Sequence, residues 1–150
     1  MTWFLTIGLL LIGGILMVSL IRWNVIRALR RSLTLSNYNI YDNKRVTAIA
    51  KRKTGDTFGF PIKCTVAIGQ RDVHIIPLRF NPFLFMTDYP ITFSKTSNKK
   101  FKIQRSEYTE IIFIGRQNKS SVFGSVVEIT IEVYDQEERK ELVRKLKNWK

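Results

Sequence analysis

The sequence predicts an α+β chain: a single N-terminal transmembrane helix, then an antiparallel β-domain capped by a C-terminal α-helix. Three observations predict it. Residues 2–21 carry no charge. Between residues 44 and 133 apolar side chains recur at every second position. After Asp135 they recur at helical spacing to the end of the chain. The 150 residues divide into an anchor with a basic juxtamembrane helix (1–35), a linker (36–43) and a domain large enough for one core (44–150).

Thr2 to Ile21 is twenty uncharged residues, which as a helix span about 30 Å, the thickness of a bilayer's hydrocarbon. Trp3 and Trp23 stand at its two ends, where amphipathic rings favour the interface. A cleaved signal would show a positive n-region and a small-residue cleavage site, and neither is present. A buried core helix is rarely apolar on all sides for five turns. Arg22, Arg27, Arg30 and Arg31 follow the run at once. Basic residues beside a span stay on the cytoplasmic side, which puts the amino terminus outside and the domain in the cytoplasm. The helix is expected to continue through "IRWNVIRALRRSL" until Ser36 and Asn37 end it, with Trp23, Ile26, Leu29 and Leu33 near one stripe. Gly8, Gly13 and Gly14 do not make a G-x-x-x-G pattern, so dimerisation of the span is unsupported.

The net charge of +13 is unevenly spread. Residues 22–63 hold ten basic and two acidic side chains, residues 64–105 seven and two, and residues 106–150 eight and eight. Positive charge concentrated beside the span points to an anionic face, with a phospholipid surface or nucleic acid as the candidates. Arg22, Arg27, Arg30, Arg31, Lys51, Arg52 and Lys53 are the expected membrane-surface contacts, each contributing about 1 kcal/mol if it lies near an anionic leaflet. The arginines serve topology alone or hold lipid as well; the sequence leaves both open.

"LSNYNIYDNK" (35–44) reads as a polar linker. Beyond it come short apolar stretches: "RVTAIAKRK", "IKCTVAI", "VHIIPL", "FLFMT", "ITFSKT", "KFKIQ", "EIIFIG" and "SVVEITIEV". "GQRD" (69–72) and "TDYP" (87–90) are expected turns. In "IKCTVAI", Ile62, Cys64, Val66 and Ile68 share one face and Lys63 and Thr65 the other. In "SVVEITIEV", Val127, Ile129, Ile131 and Val133 face inward and Glu128, Thr130 and Glu132 face water. About seven or eight antiparallel strands follow. Asp135 and Glu138 form an N-terminal capping pair for the last helix, which lines up Leu142, Val143, Leu146 and Trp149.

The passage "FLFMTDYPITFSKTSNKKFKIQRSEYTEIIFIG" (83–115), with the terminal helix after it, resembles the pleckstrin-homology-like superfold, and within it the bacterial PH and GRAM-like membrane-associated domains. Phe83 to Thr87, the turn Asp88 to Pro90, Ile91 to Ser94 and Glu110 to Ile114 fill the roles of that pattern. The likeness implies a partly open barrel over residues 44–150, capped by the helix, in a membrane-associated module. Tyr89-Pro90 stands where those domains carry a basic residue. The spaced Lys and Arg of phosphoinositide-binding members are absent from the sequence, so the likeness does not imply a specific headgroup grip.

Little here suggests chemistry. His74, the single histidine, alternates with Ile76 and Leu78 on a half-buried face; Cys64, the single cysteine, shares its face with three aliphatic residues. No phosphate loop or metal-ligand spacing occurs, and neither an enzyme nor a cofactor is expected. Two stretches stand out for binding. In "AKRKTGDTFGFPIK" (50–63), Phe58 and Phe60 pack inward or dip into a membrane surface; the first is the simpler reading. In "RFNPFLFMTDY" (79–89), Phe80, Phe83, Phe85, Met86 and Tyr89 fill the core or line a partner groove, again with the first simpler. The expected function is a non-enzymatic, single-pass module at the cytoplasmic face that binds a protein partner or anionic lipid within a larger membrane assembly. The alternative is a membrane-tethered nucleic-acid binder, for which only "KKFKIQR" interleaves aromatic and basic residues.

Overall fold

The computed structural model describes residues 2–34, 36–51, 55–82, 89–96, 101–121 and 124–149. The chain opens with one unbroken helix, α1 (Thr2–Thr34). It carries both the uncharged run and the arginines, and is long and apolar enough to cross a membrane. Eight strands follow among the described residues, seven of them in one continuous ladder: β1 (Asn39–Lys51), β3 (Ile62–Ile68), β4 (Asp72–Pro77), β5 (Ile91–Ser94), β6 (Lys102–Glu107), β7 (Glu110–Ser121) and β8 (Gly124–Glu132). The two-residue β2 (Thr57–Phe58) pairs to the side of β1. A last helix, α2 (Gln136–Trp149), ends the fold.

All pairings are antiparallel, in the order β5-β4-β3-β1-β8-β7-β6. The sheet is not closed, since the ladder ends at β5 on one side and β6 on the other. It bends nonetheless: Phe93 of β5 meets Phe113 of β7 with ring centroids 5.7 Å apart. Phe101 touches both rings, and Trp149 of α2 packs edge-on to Phe101 at 4.7 Å. Leu142 and Leu146 are fully buried beside this cluster. The α2 cap is as expected: the Glu138 amide donates to Asp135 Oδ1 at 2.7 Å. Tyr41 Oη donates to Glu141 and Lys44 pairs with Glu138, tying β1 to this helix. Burial and the Glu141 carboxylate push the Tyr41 phenol up to about 12.

Two expectations need correcting, and one face is covered more fully than its alternation indicates. Residues 39–43 are not linker but the start of β1: Tyr41 is buried, and a bulge between Tyr41 and Lys44 places Asn43 at φ 59°. That extra residue breaks the alternation by which a strand is recognised. Next, the face of β3 opposite Cys64 is not open to water. Thr65 and Ala67 are buried, as are His74 and Ile76 beside them on β4, because the lower half of α1 lies across this outer face with Ile26 and Leu33 in the same core. Lastly, β7 runs six residues past "EIIFIG", to Ser121. The stretch "FLFMT" and the first half of the "TDYP" turn lie outside the described residues. Tyr89, at that turn's end, is fully buried, and its hydroxyl donates to the Val46 carbonyl at 2.9 Å.

Candidate functional site

α1 is two helices in one, differing in what surrounds them. From Trp3 to Ile21 its large apolar side chains are exposed. From Arg22 on it docks onto the sheet, and four contacts align it antiparallel with the chain from β4 to Pro82. Tyr38, just beyond the helix, reaches His74 Nε2 at 3.3 Å. Arg30 reaches the Leu78 carbonyl at 3.5 Å and Thr65 Oγ1 at 3.4 Å. Trp23 meets Phe80 edge-on at 5.9 Å, and Ser19 Oγ donates to the Pro82 carbonyl. β4 therefore climbs toward the apolar half of α1. β1 lies antiparallel to β3 and so climbs with β4, ending at Lys51 on that same side.

The predicted basic residues separate into two groups on this frame. Arg27, Arg30 and Arg31, spaced to share a helix face, line a cleft of about 410 Å³ with Leu33, Thr34, Ile40, Asp42 and Thr65. Arg27 and Arg31 are exposed, and Arg27 lies over the Trp23 ring at 5.8 Å. Arg30 is half-buried and spends its guanidinium on Thr65 of β3 and the Leu78 carbonyl just past β4; Asp42 instead accepts from the Thr65 hydroxyl. Arg22, half-buried, sits nine residues before Arg31, about 13 Å along the helix. Lys51 is not in the cleft. Nine strand residues separate it from Asp42, about 30 Å, and it is paired with Asp56 at 2.8 Å and Glu128 at 3.6 Å. Arg52 and Lys53 lie outside the described residues.

A second basic cleft, which no expectation named, lies on α2. Ser106, Arg139, Lys140, Arg144, Lys147 and others enclose about 380 Å³. The segment's zero net charge conceals it, because the acids occupy the first turn and the bases gather farther along. Spacing of the bases by three to five residues was the available signal.

The other candidates for chemistry are held as structural groups. Cys64 is fully buried, and burial pushes its thiol up, away from the thiolate form. His74 is buried between Thr92 Oγ1, 3.0 Å from Nδ1, and Tyr38 Oη; burial lowers its basicity, with Asp72 pulling the other way. Among the described residues no three His, Cys, Asp or Glu side chains gather as a metal site. Phe60 is 69% exposed, so the inward packing read as simpler for that loop does not hold for this ring. The side chain of Phe58 lies outside the described residues.

No family model matches the sequence, and no curated protein matches it. Among solved structures, one chain of "The 8S snRNP Assembly Intermediate" is similar to 74% of this chain over 79% of its own, with 14% identity and a TM-score of 0.44.

Proposed function

We propose that the protein is a non-enzymatic, single-pass interaction module. In this reading the apolar half of α1 crosses a membrane, the domain lies on the cytoplasmic side, and its basic surface rests against anionic lipid. One observation carries it: a single continuous helix presents twenty uncharged residues, exposed over most of their length, and then, without a break, arginines on its docked half. Exposed apolar surface of that extent is untenable in water and ordinary in lipid. The arginines after it favour a cytoplasmic domain. A bent antiparallel sheet with a helix packed on its aromatic core is what supports the pleckstrin-homology-like reading.

Distance decides which charges matter most. Screening acts over about 8 Å at physiological salt. Arg22 and Arg27 lie within about 8 Å of each other along the helix, next to the span. Arg31 lies farther off and Arg30 is engaged in docking, so their cleft is better suited to an acidic group of a protein partner. The test uses the full chain in vesicles mixing phosphatidylcholine with a little spin-labelled phosphatidylglycerol. The labelled anionic lipid is expected to gather at the protein more than labelled phosphatidylcholine does. Arg22→Gln with Arg27→Gln should remove most of that preference, and Arg31→Gln little. No preference in the wild-type protein at low salt would reject the lipid reading. Binding of a single-stranded oligonucleotide to protein in neutral vesicles would then favour the nucleic-acid alternative.

A further inference from the structure

We infer that the turn Phe80–Pro82 is a second membrane contact, seated in the interfacial layer of the bilayer beside α1; this rests on the membrane-spanning reading of α1. The turn follows β4, and its position is fixed by two contacts with the helix. The Trp23 and Phe80 rings meet edge-on, and Ser19 Oγ donates to the Pro82 carbonyl. Ser19 lies within the uncharged run, three residues before Arg22. At about 1.5 Å per residue, that puts the Pro82 carbonyl about 4 to 5 Å to the membrane side of the first arginine. The boundary between headgroups and acyl chains into which peripheral elements sink is about 5–10 Å deep. The turn therefore lies at this depth, not below it.

Two further features fit lipid as the occupant of the turn's outer surface. Irregular backbone near hydrocarbon is tolerated only where its polar groups find partners. Ser19 supplies one, and it is completely buried, at 0% exposure, while the large apolar side chains around it are exposed. Phe80 stays 41% exposed although its ring packs on Trp23. Trp23 itself is of the type that settles at the interface. An aromatic pair and a proline, continuous with the apolar helix surface, face the same lipid that the helix faces. The domain thus meets the bilayer at two places, the helix and the turn, and its orientation on the membrane is set.

The experiment places an environment-sensitive nitrobenzoxadiazole label at single introduced cysteines in the full chain, in phosphatidylcholine vesicles. The buried Cys64 thiol stays out of the reagent's reach. The sites are Phe80→Cys, Asn81→Cys, Tyr108→Cys as an exposed control at the β6–β7 turn, and Leu11→Cys in mid-span. With lipid spin-labelled near the headgroup, quenching at residues 80 and 81 should exceed that at residue 108 by about threefold or more, with blue-shifted emission, as burial in the boundary layer requires. Ser19→Ala should lower quenching at residue 81 toward the control. Leu11 quenched by deep spin labels, with residues 80 and 81 no more quenched than 108, overturns the turn as a contact and leaves the anchor standing. Leu11 unquenched overturns both.

Discussion

Two helices cover this sheet, and they do so by opposite means. α2 seals the bent face with Leu142 and Leu146, buried in the core, and with Trp149, which packs on Phe101 of the aromatic cluster it forms with Phe93 and Phe113. The lower half of α1 covers the outer face with few apolar side chains, Ile26 and Leu33 foremost, and with polar clasps from Arg30 to Thr65 and Leu78, joined by Ser19 to Pro82 from the apolar half above. The first is core formation. The second resembles an interface between domains, dependent on a handful of directional contacts. The contrast teaches that burial alone does not describe what holds a helix: Ile26 and Leu146 are both at 0% exposure, yet the helix around one is clasped by polar contacts and the helix around the other ends on an aromatic ring.

The sharpest break in that comparison is Leu146→Asp. A carboxylate forced into this fully buried core position should cost about 4 kcal/mol or more and unfold the domain, read as loss of cooperative melting in detergent micelles. Ile26→Asp should cost less, about 2–3 kcal/mol. It should also leave the β-domain's near-ultraviolet signal intact while making Thr65 and Ala67 amides exchange faster. If it unfolds the domain as Leu146→Asp does, the outer face belongs to the folding core. Gly69→Ala comes next. Its Cβ would fall on the Tyr38 ring, which closes the lower end of the α1 dock against His74, so a loss of about 1–2 kcal/mol is expected by melting. Tyr38→Ala in the same chain should remove the clash and make the two changes non-additive.

The smallest effect is a pH dependence. Burial holds His74 below the ordinary value of about 6.5, so the unfolded chain takes up this proton more readily than the folded one. The stability this provides is complete above about pH 6.5 and is lost as the pH falls from there toward the folded-state value. His74→Gln keeps a hydrogen-bonding group facing Tyr38 and Thr92. It should flatten the stability profile below about pH 6.5, measured against wild type so that the carboxylates cancel.

What was legible in the sequence followed simple periods. Alternation in residues 125–133 marked β8, the Asp135–Glu138 pair marked the start of α2, and the uncharged run marked the apolar half of α1. What was not legible arose where one element depends on another. The first five residues of β1 are mostly polar and a bulge shifts their alternation. The strand exists because β3 pairs with it, not because its own pattern asks for it. The end of β7, "RQNKSS", has no apolar residue to announce a strand. The outer face of β3 and β4 gave a faint signal in Ala67 and Ile76, apolar at positions that an open face would fill with polar groups. Among the site residues, the arginines could be picked out by composition. That Arg30 turns to the sheet and Lys51 into a carboxylate pair depends on contacts far along the chain.

The unbroken course of α1 has a mechanical consequence. Between Ile15 and Thr34 it contains neither glycine nor proline, and so no hinge where its direction could change independently of the domain. A helix clamped to a sheet at one end and immersed in a bilayer at the other behaves as a lever. A thinner membrane increases the tilt of a span and a thicker one reduces it. In the membrane-anchored reading, each degree of that tilt is passed undiminished to the sheet and swings the α2 cleft through an arc beneath the surface. The domain's attitude to the bilayer would then follow the local thickness of the lipid.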